Sequence, residues 1–134
     1  MQYNTVFVAI ATVNLGNLVN FYHLLLESEP EKLIPNVYAE FHLVNFHLSI
    51  FQPRATHQAE FAIVSKSPLS LCLAVNNLET AMTQLTNLGH LPDGKIFSTD
   101  YGREIYAYDP DGNRLILYQQ NSPTNQCQSI KTIN

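Results

Sequence analysis

Two stretches of the chain carry apolar residues at the spacing of one helical face. In the first, apolar residues fall at i, i+3, i+4, i+7, i+10 and i+11 from Leu15, directly after Asn14, a residue type that often caps helix N-termini. The second begins at Leu78 after Asn77 and stops before Gly89, and glycine favours a helix C-terminus. We therefore predict two helices, each preceded by an asparagine cap.

The two helical patterns coincide at an offset of 63 residues, cap included. Short apolar segments typical of strands precede both helices at the same offset, FVAIA from Phe7 and SLCLA from Ser70. Further strand-like segments follow each helix. They are VYAEFHL, FHLSIFQ and EFAIV in the first half, then KIFST, REIYAY and RLILYQ in the second. The repetition predicts an internal duplication of a βαβββ module.

The predicted fold class is α+β, with one domain over residues 1–120 built from modules at about 3–64 and 69–120. The polar, aperiodic residues 121–134 are expected to form a C-terminal tail. The last strands of the two halves match at an offset of 67, since Leu48 and Phe51 correspond to Leu115 and Tyr118.

Composition excludes several classes of partner. A net charge of -4 with seven scattered Lys and Arg residues offers no basic stripe for nucleic acid. No apolar run is long enough to cross a membrane, and the first residues lack the basic segment of a secretory signal. Two cysteines, Cys72 in an apolar run and Cys127 in the polar tail, suit a reducing compartment. We expect a cytoplasmic protein.

Paired βαβββ modules, with FVAIATVNLGNLVNFYHLLLE near the start and YDPDGNRLILYQ near the end, resemble the vicinal oxygen chelate superfamily. This superfamily includes glyoxalase I, bleomycin resistance proteins and extradiol dioxygenases. The DPDGN turn is the most specific part of the resemblance, although its residues also suit an ordinary type I turn. The resemblance implies a curved mixed sheet around a cleft between the modules, and a homodimer.

The metal-dependent members of the superfamily carry a histidine on the first strand of each half and a glutamate on the last. By position, the matching residues here are Phe7 and Ser49 in the first half and Ser70 and Ile116 in the second. None supplies the imidazole, carboxylate or thiolate that Zn²⁺, Ni²⁺ or Fe²⁺ requires. We therefore expect no metal at the usual positions and no other cofactor.

Strand alternation places several aromatic, small and polar residues on common faces. The leading hypothesis is a metal-free protein whose cleft binds a small apolar or aromatic molecule, as bleomycin resistance proteins do by sequestration. The residues predicted to line this site are Phe7, His47, Ser49, Phe51, Ser70, Cys72, Arg114, Ile116 and Tyr118. An oligomeric scaffold with a filled cleft is an open alternative.

A second alternative depends on the segment HLVNFH. If Val44 and Asn45 close a hairpin, His42 lies opposite His47, and Glu40 lies opposite Ser49. Glu40, His42 and His47 would then form a relocated divalent-metal site or an acid/base pair, and the protein would be a lyase or a dioxygenase. A three-residue loop would shift the register and scatter the group.

Overall fold

The computed structural model describes residues 1–63 and 67–121. The chain divides into two compact units, residues 1–64 and 65–134, and in each unit the described residues form one α-helix and one four-stranded sheet. The predicted tail lies outside the described residues except for Asn121, whose backbone N–H donates to Tyr101 O at 2.7 Å.

Unit 1 contains the first helix and four strands in the order βαβββ. Their bounds are β1 Val8–Ala11, α1 Leu15–Leu25, β2 Lys32–Ile34, β3 Tyr38–Leu43 and β4 Phe46–Phe51. The strand order in the sheet is β1-β4-β3-β2, with β1 parallel to β4 and the other pairs antiparallel. A 3₁₀ helix, Ala55–Phe61, follows the last strand.

Unit 2 repeats this arrangement. Its elements are β5 Leu71–Ala74, α2 Leu78–Asn87, β6 Phe97–Ser98, β7 Gly102–Tyr108 and β8 Arg114–Gln120. The strand order is β5-β8-β7-β6, and only the β5–β8 pair is parallel. The predicted α+β class with two βαβββ modules is therefore confirmed.

Both predicted helix caps are present. The Asn14 side-chain oxygen accepts from the Asn17 backbone N–H at 3.3 Å, and that of Asn77 accepts from Thr80 N–H at 2.9 Å. Each bond satisfies a backbone donor that the first helical turn leaves without a partner. After α2, Gly89 has φ of +86°, a left-handed conformation that glycine adopts without steric cost.

One face of each sheet is buried against the helix of its unit. In unit 1 the core consists of Leu15, Leu18, Val19, Phe21 and Tyr22 together with Ala39, Phe41, Leu48 and Ile50. In unit 2 it consists of Leu78, Leu85, Ile105, Ala107, Leu115 and Leu117. These side chains occupy alternate strand positions, so the residues between them point to the opposite, open face.

The DPDGN turn between β7 and β8 has the predicted geometry. The Gly112 N–H donates to Asp109 O at 2.9 Å, and Gly112 has φ of +90°. The buried Asp109 carboxylate accepts from the backbone N–H groups of Asp111 and Asn113, both at 2.9 Å. These contacts explain why the motif occurs here: it forms a turn that sets the register of the last hairpin.

The predicted strand over EFAIV is wrong. Glu60 and Phe61 end the 3₁₀ helix, Ala62 and Ile63 belong to no element, and Val64 lies outside the described residues. The Phe61 ring contacts Phe51 edge to face at 5.4 Å, so this apolar side chain is anchored without a strand. The strand that the sequence did not predict is β2, because its three residues are too few to show alternation of apolar and polar side chains.

In the part of the chain that the structure describes, neither α-helix has the length and apolar character that spanning a membrane requires.

Candidate functional site

The open faces of the two sheets carry most of the residues predicted to line a binding site. We call the open face of unit 1 the polar face; it carries Tyr38, Glu40, His42, His47, Ser49 and Phe51. We call that of unit 2 the aromatic face; it carries Cys72, Phe97, Glu104, Tyr106, Tyr108, Arg114, Ile116 and Tyr118. Phe7 and Ser70 each directly precede the first strand of their unit.

The β3–β4 hairpin builds the polar face. Val44 and Asn45 form its two-residue loop, and Asn45 has φ of +58°, which asparagine tolerates better than most residues. This loop pairs His42 with His47, whose imidazole rings stack with centroids 4.1 Å apart and an interplanar angle of 7°. The register required for the relocated cluster is therefore observed.

Glu40 accepts hydrogen bonds on both carboxylate oxygens. The Tyr38 hydroxyl donates to Oε2, and His42 Nε2 contacts Oε1. The Tyr38 hydrogen bond, followed by that of His42, holds the pKa of Glu40 below its usual range, so the carboxylate is ionised at neutral pH. The same Tyr38–Glu40 bond raises the pKa of the Tyr38 hydroxyl, because ionising it would place two negative charges in contact.

The potential ligand atoms of Glu40, His42 and His47 all lie within 4.8 Å of one another. The Glu40 and His42 side chains are 24% and 38% exposed, so this cluster is open to solvent. Lys32 on β2 pairs with Glu40, which places a positive charge beside the carboxylate. The arrangement offers the imidazole and carboxylate donors that first-row metals prefer.

Sequence reasoning missed Tyr38 as part of this cluster. The signal was available, because Tyr38 lies two residues before Glu40 on a strand and therefore on the same face. The Tyr38 side chain is half-buried, and its hydroxyl donates a hydrogen bond to the Glu40 carboxylate.

The aromatic face presents ring and aliphatic side chains across neighbouring strands. Phe97 and Tyr106 are in contact, with ring centroids 5.6 Å apart, and are 49% and 38% exposed. Tyr106 pairs with Ile116, and Ile116 pairs in turn with Cys72 on β5. Of these residues, Phe97 and Tyr106 were not among the predicted site residues, because only the strand register brings them beside β8.

A polar group borders the aromatic face at the start of β8. Arg114 Nη1 donates to the Ser67 carbonyl at 3.0 Å and to the Ser70 hydroxyl at 3.1 Å. Two of the residues predicted to line the site, Ser70 and Arg114, are therefore in direct contact. Nearby, partial desolvation and then the charge of Glu104 raise the pKa of the Cys72 thiol, which keeps it neutral at physiological pH.

The four positions equivalent to the superfamily's metal ligands do not fit a metal ion. Phe7 is 53% exposed, Ser49 is buried on β4, Ser70 donates or accepts only through a hydroxyl, and Ile116 is aliphatic. Phenyl, hydroxyl and aliphatic groups are not ligands of transition metals in ordinary protein sites.

A cavity of about 460 Å³ lies elsewhere in unit 1, between α1 and the segment leading through β2. Leu15, Val19, His23, Glu29, Leu33 and Asn36 are among its lining residues. None of the predicted site residues borders it, and the His23 ring is engaged by the Ser28 carbonyl at 3.0 Å.

Solved structures share this architecture. A glyoxalase/bleomycin resistance protein from Catenulispora acidiphila is 21% identical, with a TM-score of 0.61 over 87% of this chain and 97% of that one. The chain has the glyoxalase/bleomycin resistance fold. A glyoxalase-related enzyme from Fulvimarina pelagi is 18% identical, with a TM-score of 0.70 over 88% and 89% of the two chains.

The same fold occurs in the fosfomycin resistance protein FosX from Listeria monocytogenes, which is 12% identical, with a TM-score of 0.70 over 97% of this chain and 99% of that one. No family model and no curated protein sequence matches the chain. The resemblance seen in the sequence is thus confirmed as a glyoxalase/bleomycin resistance fold.

Proposed function

We propose that the protein binds a small apolar or aromatic molecule on the aromatic face of unit 2, without using a metal at Phe7, Ser49, Ser70 and Ile116. The observation that carries this proposal is the aromatic face, where Phe97 and Tyr106 expose contacting rings beside Ile116. Exposed rings that contact one another offer a surface on which another ring can stack or pack edge to face.

Arg114 gives this surface a means of orienting a ligand. Its guanidinium has five N–H donors, and the contacts with Ser67 and Ser70 both involve Nη1. Those contacts fix the side chain at the border of the aromatic face while leaving the group capacity to bind a carboxylate or another anionic oxygen. The favoured ligand class is therefore an aromatic molecule that carries an acidic group.

Small-molecule binding is also consistent with the fold. The FosX structure is a complex with Mn(II) and a dihydroxypropylphosphonic acid, a small anionic molecule. The substitution of Phe7, Ser49, Ser70 and Ile116 at the ligand positions argues that binding here proceeds without the metal chemistry of such relatives.

The test is a calorimetric titration of the protein with a panel of aromatic compounds, each with and without a carboxylate. We expect the aromatic carboxylates to bind best. Tyr106→Ala should weaken binding about threefold to tenfold, because a ring contact is lost. Arg114→Gln should abolish the preference for the carboxylate while leaving binding of the neutral ring in place.

Matched controls come from unit 1. Tyr3→Ala removes a tyrosine that is 72% exposed, and Arg54→Gln removes an exposed arginine. Neither change should alter binding. Absence of binding across the panel, or equal losses in the control variants, would refute the proposal.

We also expect a homodimer. Leu33 and Ile34 on the edge strand β2 are 51% and 44% exposed, and the other edge of this sheet is the short β1. Exposed apolar edge strands are commonly covered by a partner chain. Light scattering should give twice the chain mass of 15.1 kDa, and Ile34→Lys should shift the protein toward that single-chain mass. A monomer throughout the micromolar range contradicts this expectation.

A further inference from the structure

The polar face carries a ligand set that the proposed binding function does not use. Glu40 and His42 lie two residues apart on one face of β3, and His47 lies directly across from His42 on β4. All three residues belong to a single hairpin closed by a two-residue loop. Their relative positions are thus fixed by one stretch of regular backbone.

The distances suit one small ion. Two ligand atoms on a tetrahedral Zn²⁺ lie roughly 3.4 Å apart, given metal–ligand bonds of about 2.0–2.2 Å. The ligand atoms of Glu40, His42 and His47 already lie within 4.8 Å of one another. To bind one ion, the stacked His42 and His47 rings must turn so that one nitrogen of each points at a common centre.

Neighbouring groups hold the carboxylate in place. Tyr38 donates its hydroxyl hydrogen bond to Glu40 Oε2, which leaves Oε1 directed at His42. Hydrogen bonds of this kind fix the orientation of a ligating carboxylate and tune its affinity for a metal. Glu40 also pairs with Ser49 on the neighbouring strand. Ser49 is one of the four positions that match metal ligands of the superfamily, and it carries no ligand group of its own.

We propose that Glu40, His42 and His47 bind one divalent transition-metal ion, of which Zn²⁺, Co²⁺ and Ni²⁺ are the expected types. Imidazole with carboxylate is a donor set suited to these ions. Three protein ligands on a face that is open to solvent leave a coordination position for water or an anionic ligand. This site is formed by residues of unit 1 alone, and its existence does not depend on the function proposed above.

Two features limit its affinity. Lys32 faces Glu40 from β2, and its positive charge opposes a cation at the same carboxylate. The cluster is also partly exposed, which screens its charge. We therefore expect binding in the micromolar range, and Lys32→Gln should strengthen it severalfold.

The experiment is a titration of chelator-washed protein with Co²⁺ at neutral pH, followed by visible absorption, and with Zn²⁺, followed by calorimetry. We expect one ion per chain and an absorption band typical of nitrogen and oxygen ligands. His47→Asn and Glu40→Gln should each weaken binding at least about tenfold, and Tyr38→Phe should weaken it less while keeping the stoichiometry at one.

His57→Asn is the matched control, because His57 is an exposed histidine of the same unit, on the 3₁₀ helix. Circular dichroism of each variant confirms that it folds, and imidazole proton signals report which histidines the ion contacts even in the unaltered protein. Zn²⁺ shifts confined to His42 and His47 support the site. No saturable binding below millimolar Zn²⁺, or binding lost equally in His57→Asn, would show that the cluster is only an ion pair with stacked rings, and would overturn the proposal.

Discussion

The two sheets have the same strand order but opposite chemistry on their open faces. Register identifies the corresponding positions, because Glu40 pairs with Ser49 as Tyr106 pairs with Ile116. Likewise, His42 pairs with His47 as Tyr108 pairs with Arg114. A glutamate and two histidines in unit 1 thus correspond to two tyrosines and an arginine in unit 2.

On the buried faces, corresponding positions of the two units carry similar side chains. Leu48 and Ile50 of β4 match Leu115 and Leu117 of β8, and all four are buried beneath the helix of their unit. Burial limits these positions to apolar side chains of similar volume, because cavities and overpacking both destabilise a core. Side chains on the open faces are not limited in this way to apolar residues of one size. The two units therefore differ on these faces, and binding sites are expected there.

The largest expected effect comes from a substitution that disrupts the aromatic face of unit 2. A Cβ atom at Gly102 on β7 would lie 2.1 Å from the Gln119 backbone oxygen on β8. Gly102→Ala must therefore separate the strands that present the aromatic face, and we expect a loss of roughly 2–4 kcal/mol in the free energy of unfolding. Denaturant titration measures the loss.

Gly94→Ala is the matched control, since an added Cβ there meets no atom within 4 Å. Unfolding of both variants at the same denaturant concentration would contradict the close contact of Gly102 on β7 with the β8 backbone.

The next effect is specific to the polar face. Asn45 has φ of +58°, and a β-branched side chain is strained in that region. Asn45→Val should lower the free energy of unfolding by about 1–2 kcal/mol and weaken Zn²⁺ binding, because the loop holds His42 opposite His47. Asn45→Gly, which fits the same φ, should retain both stability and binding. Equal behaviour of the two variants would contradict the hairpin geometry.

A smaller effect tests what the two units share. Replacing the caps, Asn77→Ala and Asn14→Ala, removes the same type of hydrogen bond from each helix. We expect about 1 kcal/mol for Asn77, whose bond to Thr80 N is 2.9 Å, and less for Asn14, whose bond to Asn17 N is 3.3 Å. Urea unfolding of both variants gives the ranking, and a larger loss for Asn14 would reverse it.

The smallest effect is dependent on pH and is confined to unit 2. Arg103 on β7 makes two hydrogen bonds to Glu79 on α2, at 2.7 and 2.9 Å, and they lower the pKa of Glu79 from its ordinary 4.5. A lowered carboxylate pKa contributes stability above the ordinary value, and that contribution is lost as pH falls through the lowered pKa. The melting-temperature advantage of the parent over Glu79→Gln should therefore shrink in acid.

Arg103→Gln provides the partner measurement, because it removes the same contact from the other side. If the difference between the parent and Glu79→Gln stays constant as the pH falls, the ion pair contributes nothing to the stability of unit 2.

Local signals in the sequence predicted much of this fold. Asparagine caps, helical spacing and strand alternation lie within a few residues of one another, and they located both helices and both halves. A two-residue loop at Val44 and Asn45 was one of two loop lengths that the segment HLVNFH allowed, and it is the one that places His42 opposite His47. What alternation cannot give is the identity of the neighbouring strand, since that depends on pairing between distant residues.

For that reason Phe97 and Tyr106 were missed on the aromatic face. Each lies on a strand whose position beside β8 follows from long-range register alone. The error at EFAIV has a different cause. Its apolar residues suggested a strand, but Phe61 finds its apolar partner, Phe51, from within a 3₁₀ helix.

The parallel pairing of β1 with β4 also bears on the order in which unit 1 folds. That pairing joins Val8 to Leu48, so it closes a chain segment on the order of 40 residues and carries the larger entropic cost. The β3–β4 hairpin closes over two residues, and hairpins of this kind form within microseconds. Glu40, His42 and His47 all belong to the hairpin, so we expect them to come together before β1 docks, and an ion that binds the cluster would then stabilise the hairpin as well as the finished sheet.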